Sequence, residues 1–465
     1  MDRRTFLKSA GGAAAACCAG VLHGCATTPR GPIAVDESIV VIGAGMAGLA
    51  AARTLRDAGA RVTVLEAYDR PGGRIHTNRD LGAPLELGAQ RLHGTKGNPL
   101  VPFLEQEGLE YTKVDWNSLT GFQEDGTPFP DEELAKTHDR VINFLRIAWV
   151  RNIGNSEDCS INTILEREMG RRELETADRR LMNFGLVSAE LVNASPFTEA
   201  SWKMGNDFAV YPGGDQFITG GFDKVPRMLA NPLEVKYGTV VRKIDYRGPR
   251  VRIETTEGNL EADRVVVTVS LGVLKAGRIV FEPALPVAKQ EAIDRIGMGL
   301  FNGVALRFRH AFWPEHVHAI AHGSDVWGHF PVFTNIMKYT GEPILLAYVP
   351  ARFENALESM SDDETYAGAL EVLRTMYGSS VPEPTRAVRT RWGTNPFAFG
   401  AYSYNRLGQK PFDRGTLAAP VADRIFFAGE AASKDRYGCA AGAYVTGLTA
   451  ADQIFSIAGR PNAFT

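Results

Sequence analysis

The run SIVVIGAGMAGLAAARTLRDAGARVTVLEA, residues 38–67, constrains the fold more than any other stretch of the chain. Ser38–Ile42 is an apolar run that stops at Gly43. From Met46 to Ala58 apolar residues recur at helical spacing, and Arg61–Glu66 alternates and ends in an acid. The spacing predicts strand, helix, strand. Gly43, Gly45 and Gly48 lie in the first turn with Ala47, and Glu66 follows about eighteen residues after Gly48. This is the dinucleotide fingerprint in its structural context. The first glycine permits the tight turn. The second lets backbone approach a pyrophosphate, and the third lets helix and strand pack. The helix N-terminus offers unpaired N–H groups to phosphate, and Glu66 can accept from a ribose hydroxyl.

The chain has 465 residues and a formal charge of −3, enough for one large or two medium domains, with no charge excess pointing to nucleic acid. The N-terminus reads as a leader over 1–30. RRTFLK, with Arg3 and Arg4, resembles a twin-arginine export signal, which implies an exported, periplasmic protein handled by that machinery. LHGC, ending at Cys25, resembles a lipobox with an unusual His23, which implies membrane anchoring through a lipidated Cys25. Outside the leader only Cys159 and Cys439 remain, and no metal-ligand spacing exists.

Residues 36–97, 221–287 and 388–460 read as one discontinuous domain. Residues 98–220, with helical patterns, and 288–387, with strands such as GVALRFRH and PILLAYVP, read as insertions forming a second domain. The chain closes on RIFFAGEAASKDRYGCAAGAYVTGL, which reads as strand, glycine-rich loop and helix.

Six stretches stand in one order: VIGAGMAGLAAARTL, LELGAQRLHGTKGNPL, YPGGDQFITGGF, TVSLGVLKAGRIVFEPALP, RWGTNPFAFGAYSY and the closing segment. On these, residues from about 36 to 456 resemble the flavin-containing amine oxidase family, including polyamine oxidases, monoamine oxidases and lysine-specific histone demethylases. The resemblance implies an α/β, two-domain FAD-dependent amine oxidase fold: a GR2-type Rossmann-like FAD domain and a mixed α+β substrate domain. It implies oxidation of an amine to an imine and then an aldehyde. Electrons pass to O2, giving H2O2, or to a quinone or cytochrome. The alternatives are an L-amino-acid or cyclic-amine oxidase or dehydrogenase, or a non-catalytic flavin-binding exported protein.

The resemblance also assigns residues. Gly43, Gly45, Ala47, Gly48 and Glu66 match the ADP-binding turn, and Gly73 and Arg74 the phosphate arm. Gly88, Ala89, Gln90 and Arg91 match the loop passing the flavin ring. Val241 matches a backbone contact to adenine and Trp392 a tryptophan beside the ring. Gly429 and Glu430 match the phosphate and ribityl motif. Cys439 and Ala440 match the N-terminus of the last helix, which favours negative charge on reduced flavin. Where monoamine oxidases carry a flavin-linked Cys before a Tyr, this chain has Ala401–Tyr402, which implies noncovalent FAD. Tyr402 matches one wall of an aromatic cage and Cys439 stands in place of the other, favouring a chain-like amine.

His93 aligns with a histidine that faces substrate in animal polyamine oxidases; the alternative is a loop histidine packed on the cofactor. Imidazole as a side-chain type suits proton handling near neutrality. Glu190 and Glu199 read as a solvated helix face or as partners for a distal ammonium. Tyr404 reads as a core aromatic. The family's usual lysine near the flavin is here Gly303, between Asn302 and Val304. A glycine supplies no charge, so the resemblance supports amine oxidation more firmly than rapid reaction with O2.

Overall fold

The computed structural model describes residues 37–457 except 153, 155–156, 172–173, 206–208, 326–329 and 350. The leader, with Arg3, Arg4 and Cys25, lies outside the described residues. Five strands form an all-parallel sheet in the order Ile425–Phe427, Arg264–Val267, Ser38–Ile42, Arg61–Leu65 and Glu234–Lys236. The central strand explains how it is covered. Alternate side chains of a strand face opposite ways. Ile39 and Val41 pack with the helices Met46–Asp57 and Ala440–Ile457. Val40 and Ile42 pack with Val241, Ile244 and Ile253 of a four-stranded sheet. Both faces are dry, as a parallel sheet requires.

A six-stranded sheet runs in the order Arg386–Arg389, Gly303–Arg307, Ile344–Tyr348, Val332–Asn335, Ala319–Gly323 and Leu119–Gln123. Val304 and Leu306 pack against Leu370 and Leu373 of the helix Asp362–Tyr377. Ala305, Leu346 and Tyr348 face the other way. The segment 98–220 carries the helices Asp131–Asn152, Ile161–Met169 and Thr176–Asn193, and it also supplies the edge strand Leu119–Gln123. A small sheet joins Arg91–His93, Asp215–Ile218 and Tyr111–Lys113, so strands on both sides of the expected 97/98 boundary pair with one another. Among the described residues no helix is long and apolar enough to cross a membrane.

Candidate functional site

One cavity of about 1570 Å³ runs between the two large sheets. It exceeds the roughly 300–1,000 Å³ of an ordinary small-molecule site, leaving room for an extended cofactor together with a substrate. At one end it is lined by Gly43, Gly45, Met46 and Ala47, at the start of the helix Met46–Asp57. Gly43 sits at φ +105, where glycine is needed, and a Cβ on Gly48 would stand 1.9 Å from the Gly43 carbonyl oxygen. Nothing lies within 4 Å of where a Cβ on Gly45 would be, so the helix N–H groups open onto space. The first helical turn carries no acid that would occupy them. Glu66 is 5% exposed and accepts from the Ala44 and Tyr68 N–H groups at 2.5 and 2.9 Å. Burial raises its carboxyl above the ordinary value, against those hydrogen bonds.

The structure brings the sequence-assigned residues together. Gly73, Arg74, Gly88, Ala89, Gln90, Arg91, Val241, Trp392, Gly429, Glu430, Cys439 and Ala440 all line this cavity; Gly48 lies behind it. Arg74 donates to the Ala401 carbonyl and to Glu430, both at 2.8 Å. Glu430 also accepts from Ser403 Oγ at 2.7 Å and from the Gly438 N–H at 2.8 Å. Burial acts to raise this carboxyl, but Arg74 and Ser403 hold it below the ordinary range. Its side chain therefore joins residues 401–403 to the segment 429–438.

The middle of the cavity is aromatic. Trp392 donates from Nε1 to the Leu87 carbonyl at 3.2 Å. Its own N–H is held by Asn302 Oδ1 at 2.9 Å, and Asn302 Nδ2 donates to Glu358 at 2.8 Å. Phe301 stands between Tyr348, stacked at 4.7 Å, and Tyr402 at 6.1 Å. Ala401 and Tyr402 line the same wall. Gly303 lines it too, in a regular strand beside Tyr348.

Beyond the aromatic walls, His93 Nδ1 lies 2.9 Å from Asp215 Oδ1, with the carboxylate side chain 4% exposed. Arg91 and His93 alternate along one strand and both line the cavity. The Arg91 guanidinium lies over the Trp116 ring at 4.7 Å. His318 stands edge-on to Trp116 and is pushed down to about 3 by burial and by Arg91. Asp115 and Asp139 line the cavity as exposed acids.

One expectation is corrected, and other charged and thiol side chains are located. Glu190 is fully buried, so it is no solvated face, and neither it nor Glu199 lines the cavity. Glu199 pairs with Arg406 and accepts from Tyr404, whose ring is buried in the core. Arg307 is held by Leu81 and Glu342 outside the cavity. Lys275 and Lys338 donate to Asp294 and Ser118, away from Gly303. Cys159 and Cys439 form no disulfide. Sequence reasoning missed Asp215, Phe301, Asn302 and Tyr348. Only Asp215 carries a local signal, standing at the start of the strand that follows YPGG.

The model of the family described as flavin containing amine oxidoreductase matches residues 46–455. Polyamine oxidase 2 of Arabidopsis thaliana is 36% identical over 438 residues, covering 90% of this chain and 88% of that protein. Lysine-specific histone demethylase 1 homolog 1 of Oryza sativa subsp. japonica is 35% identical over 457 residues, covering 92% of this chain. The chain spans about half that relative's length, 53%. A solved structure of a putrescine oxidase redesigned in its cofactor binding superposes with a TM-score of 0.71 at 22% identity, covering 90% of this chain and 99% of that one. At that identity the likeness speaks to the fold.

Proposed function

Since this chain belongs to the flavin-containing amine oxidoreductase family and uses FAD, we propose that it oxidises a chain-like, polyamine-type amine in the cavity between its two sheets. One observation carries the reading. A single cavity joins an open helix N-terminus and a buried ribose-type acid to aromatic walls and a His93–Asp215 pair. The residues fit the cofactor. Gly43, Gly45, Ala47 and Gly48 would hold its pyrophosphate, Glu66 its adenosine ribose and Val241 its adenine. Gly73, Arg74, Gly429 and Glu430 would hold its middle. Gly88, Ala89, Gln90, Arg91, Trp392, Cys439 and Ala440 would surround its ring. Ala401, at the position that carries a linking Cys in monoamine oxidases, supports noncovalent binding. Bound FAD supplies a two-electron acceptor beside the amine-bearing carbon.

The protein's own part is to bind, orient and deprotonate. An aliphatic amine arrives as an ammonium and must lose a proton before oxidation. Asp215 holds the imidazole of His93 by Nδ1, which orients the ring and leaves Nε2 as the acceptor in that tautomer. Tyr402, Phe301 and Trp392 exclude water around the reacting carbon. Asp115 and Asp139 suit a distal ammonium at the rim. Gly303 places no cation at this point of the cavity wall, which favours a quinone or cytochrome acceptor over O2. RRTFLK supports export of the folded holoprotein, and Cys25 supports a lipid anchor; cell fractionation with and without Arg3→Lys plus Arg4→Lys tests the first.

A second reading has its own observation. Arg91 lines the cavity with its guanidinium over the Trp116 ring. A substrate bearing a carboxylate would pair with it, as an amino acid does. Anaerobic mixing with diamines, polyamines, monoamines and amino acids, following flavin bleaching, separates the two. Bleaching by none would defeat both.

A further inference from the structure

Gly303 and Tyr348 are direct partners across the antiparallel strands Gly303–Arg307 and Ile344–Tyr348. Opposed residues of such a pair face the same side of the sheet, and both line the cavity. The backbone does not require the glycine, because Gly303 is absent from the positive-φ positions. A side chain at 303 would be crowded by Leu346 and would lie against the phenol. A first side-chain carbon at 303 would stand 3.1 Å from Leu346 Cδ1 and 3.5 Å from Tyr348 Cε1. A longer side chain would have to pass that ring.

Tyr348 is held on two sides. Phe301 stacks on it at 4.7 Å with an interplanar angle of 17°. Its hydroxyl donates to Gln90 Oε1, while Gln90 Nε2 donates to the Glu86 carbonyl at 2.7 Å. Tyr348 thereby ties the six-stranded sheet to the end of the Leu87–Gln90 loop, whose start is tied by Trp392.

We propose that Gly303 and Tyr348 are a compensating pair: the absence of a side chain at 303 leaves this part of the cavity wall to the phenol of Tyr348, whose neutral hydroxyl positions Gln90. Tyr348 is a positioning residue that acts through Gln90. The inference rests on the reading that this part of the cavity receives the flavin ring. It adds that the loop end is held there by a hydrogen bond without charge, from Tyr348 to Gln90.

Two arms test it in the holoprotein. In the first, Tyr348→Phe, Gln90→Met and the double variant are compared by visible flavin spectrum, midpoint potential and anaerobic reduction rate. All three should retain FAD. Each single change should shift the spectrum and slow reduction about tenfold, and the double should be no slower than the worse single, as for residues acting as a unit. A Tyr348→Phe protein with native spectrum and rate would overturn the proposal, as would about a hundredfold loss in the double. In the second arm, Gly303→Lys should lower the melting temperature and FAD content beside Tyr348, and adding Tyr348→Leu should recover both. Equal losses in the two backgrounds would show that the side chains do not compete for one place. If no amine reduces the wild type, the amine reading fails, while the spectral, potential and melting comparisons still decide the pair.

Discussion

Glu86 should set part of the pH dependence of stability. Its side chain is 2% exposed, and it accepts from the Phe222 N–H at 2.7 Å and from Thr77 Oγ1 at 2.9 Å. Among the described residues no ion pair reaches it. Burial pushes its carboxyl from 4.5 up to about 7. The folded value thus lies above the unfolded one. The stability this neutral carboxyl contributes is fully present below pH 4.5, declines as pH rises, and is lost once pH passes 7. The gap corresponds to about 3 kcal/mol, at about 1.4 kcal/mol per pH unit. Glu86→Gln keeps the shape and an acceptor but cannot ionise. Urea unfolding of the FAD-saturated proteins should find wild type and variant close near pH 5. The variant should gain steadily to an advantage of about 3 kcal/mol by pH 8. A difference that stays flat across that range would mean that Glu86 does not titrate there, and the reasoning from burial would be refuted.

FAD should copurify and be released by acid, because Ala401 offers no thiol; flavin remaining on the denatured chain would contradict this. Turnover should rise with pH toward the aliphatic-amine range, about 10.4 for a lysine-type amine. Asp215→Asn and His93→Ala should each lower kcat/KM by about 10²-fold and alter its pH profile; unchanged profiles would remove the pair from proton handling. Asn302→Ala breaks the hydrogen bonds to the Trp392 N–H, Thr390 and Glu358. It should cost about 3 kcal/mol at about 1 kcal/mol each and weaken FAD binding, which flavin fluorescence titration measures. Dithionite-reduced wild type should reoxidise slowly in air and quickly with an artificial quinone; rapid reaction with O2 in stopped flow would show that another group replaces the missing lysine.

The sequence alone determined the parts whose physics is local. An apolar run over Ser38–Ile42, helical spacing from Met46 and three glycines at a turn specify strand, helix and phosphate-facing N-terminus within thirty residues. The ordered stretches then placed most of the cavity lining, because glycines and an acid at fixed spacings answer to one extended cofactor. What surrounds the substrate was decided by tertiary structure. His93 meets Asp215 at a separation of 122 residues, and Tyr348 meets Gln90 at 258. No periodicity encodes such pairs: His93 and Asp215 meet because strands far apart in the chain pair within one small sheet, and Tyr348 meets Gln90 because the six-stranded sheet closes on a distant loop. Glu190 shows the same limit: a carboxylate on a helix reads as solvated, and its complete burial follows from what packs over it. Gly303 was legible as a missing side chain. That Tyr348 borders the space it leaves depends on strand register, which long-range pairing sets.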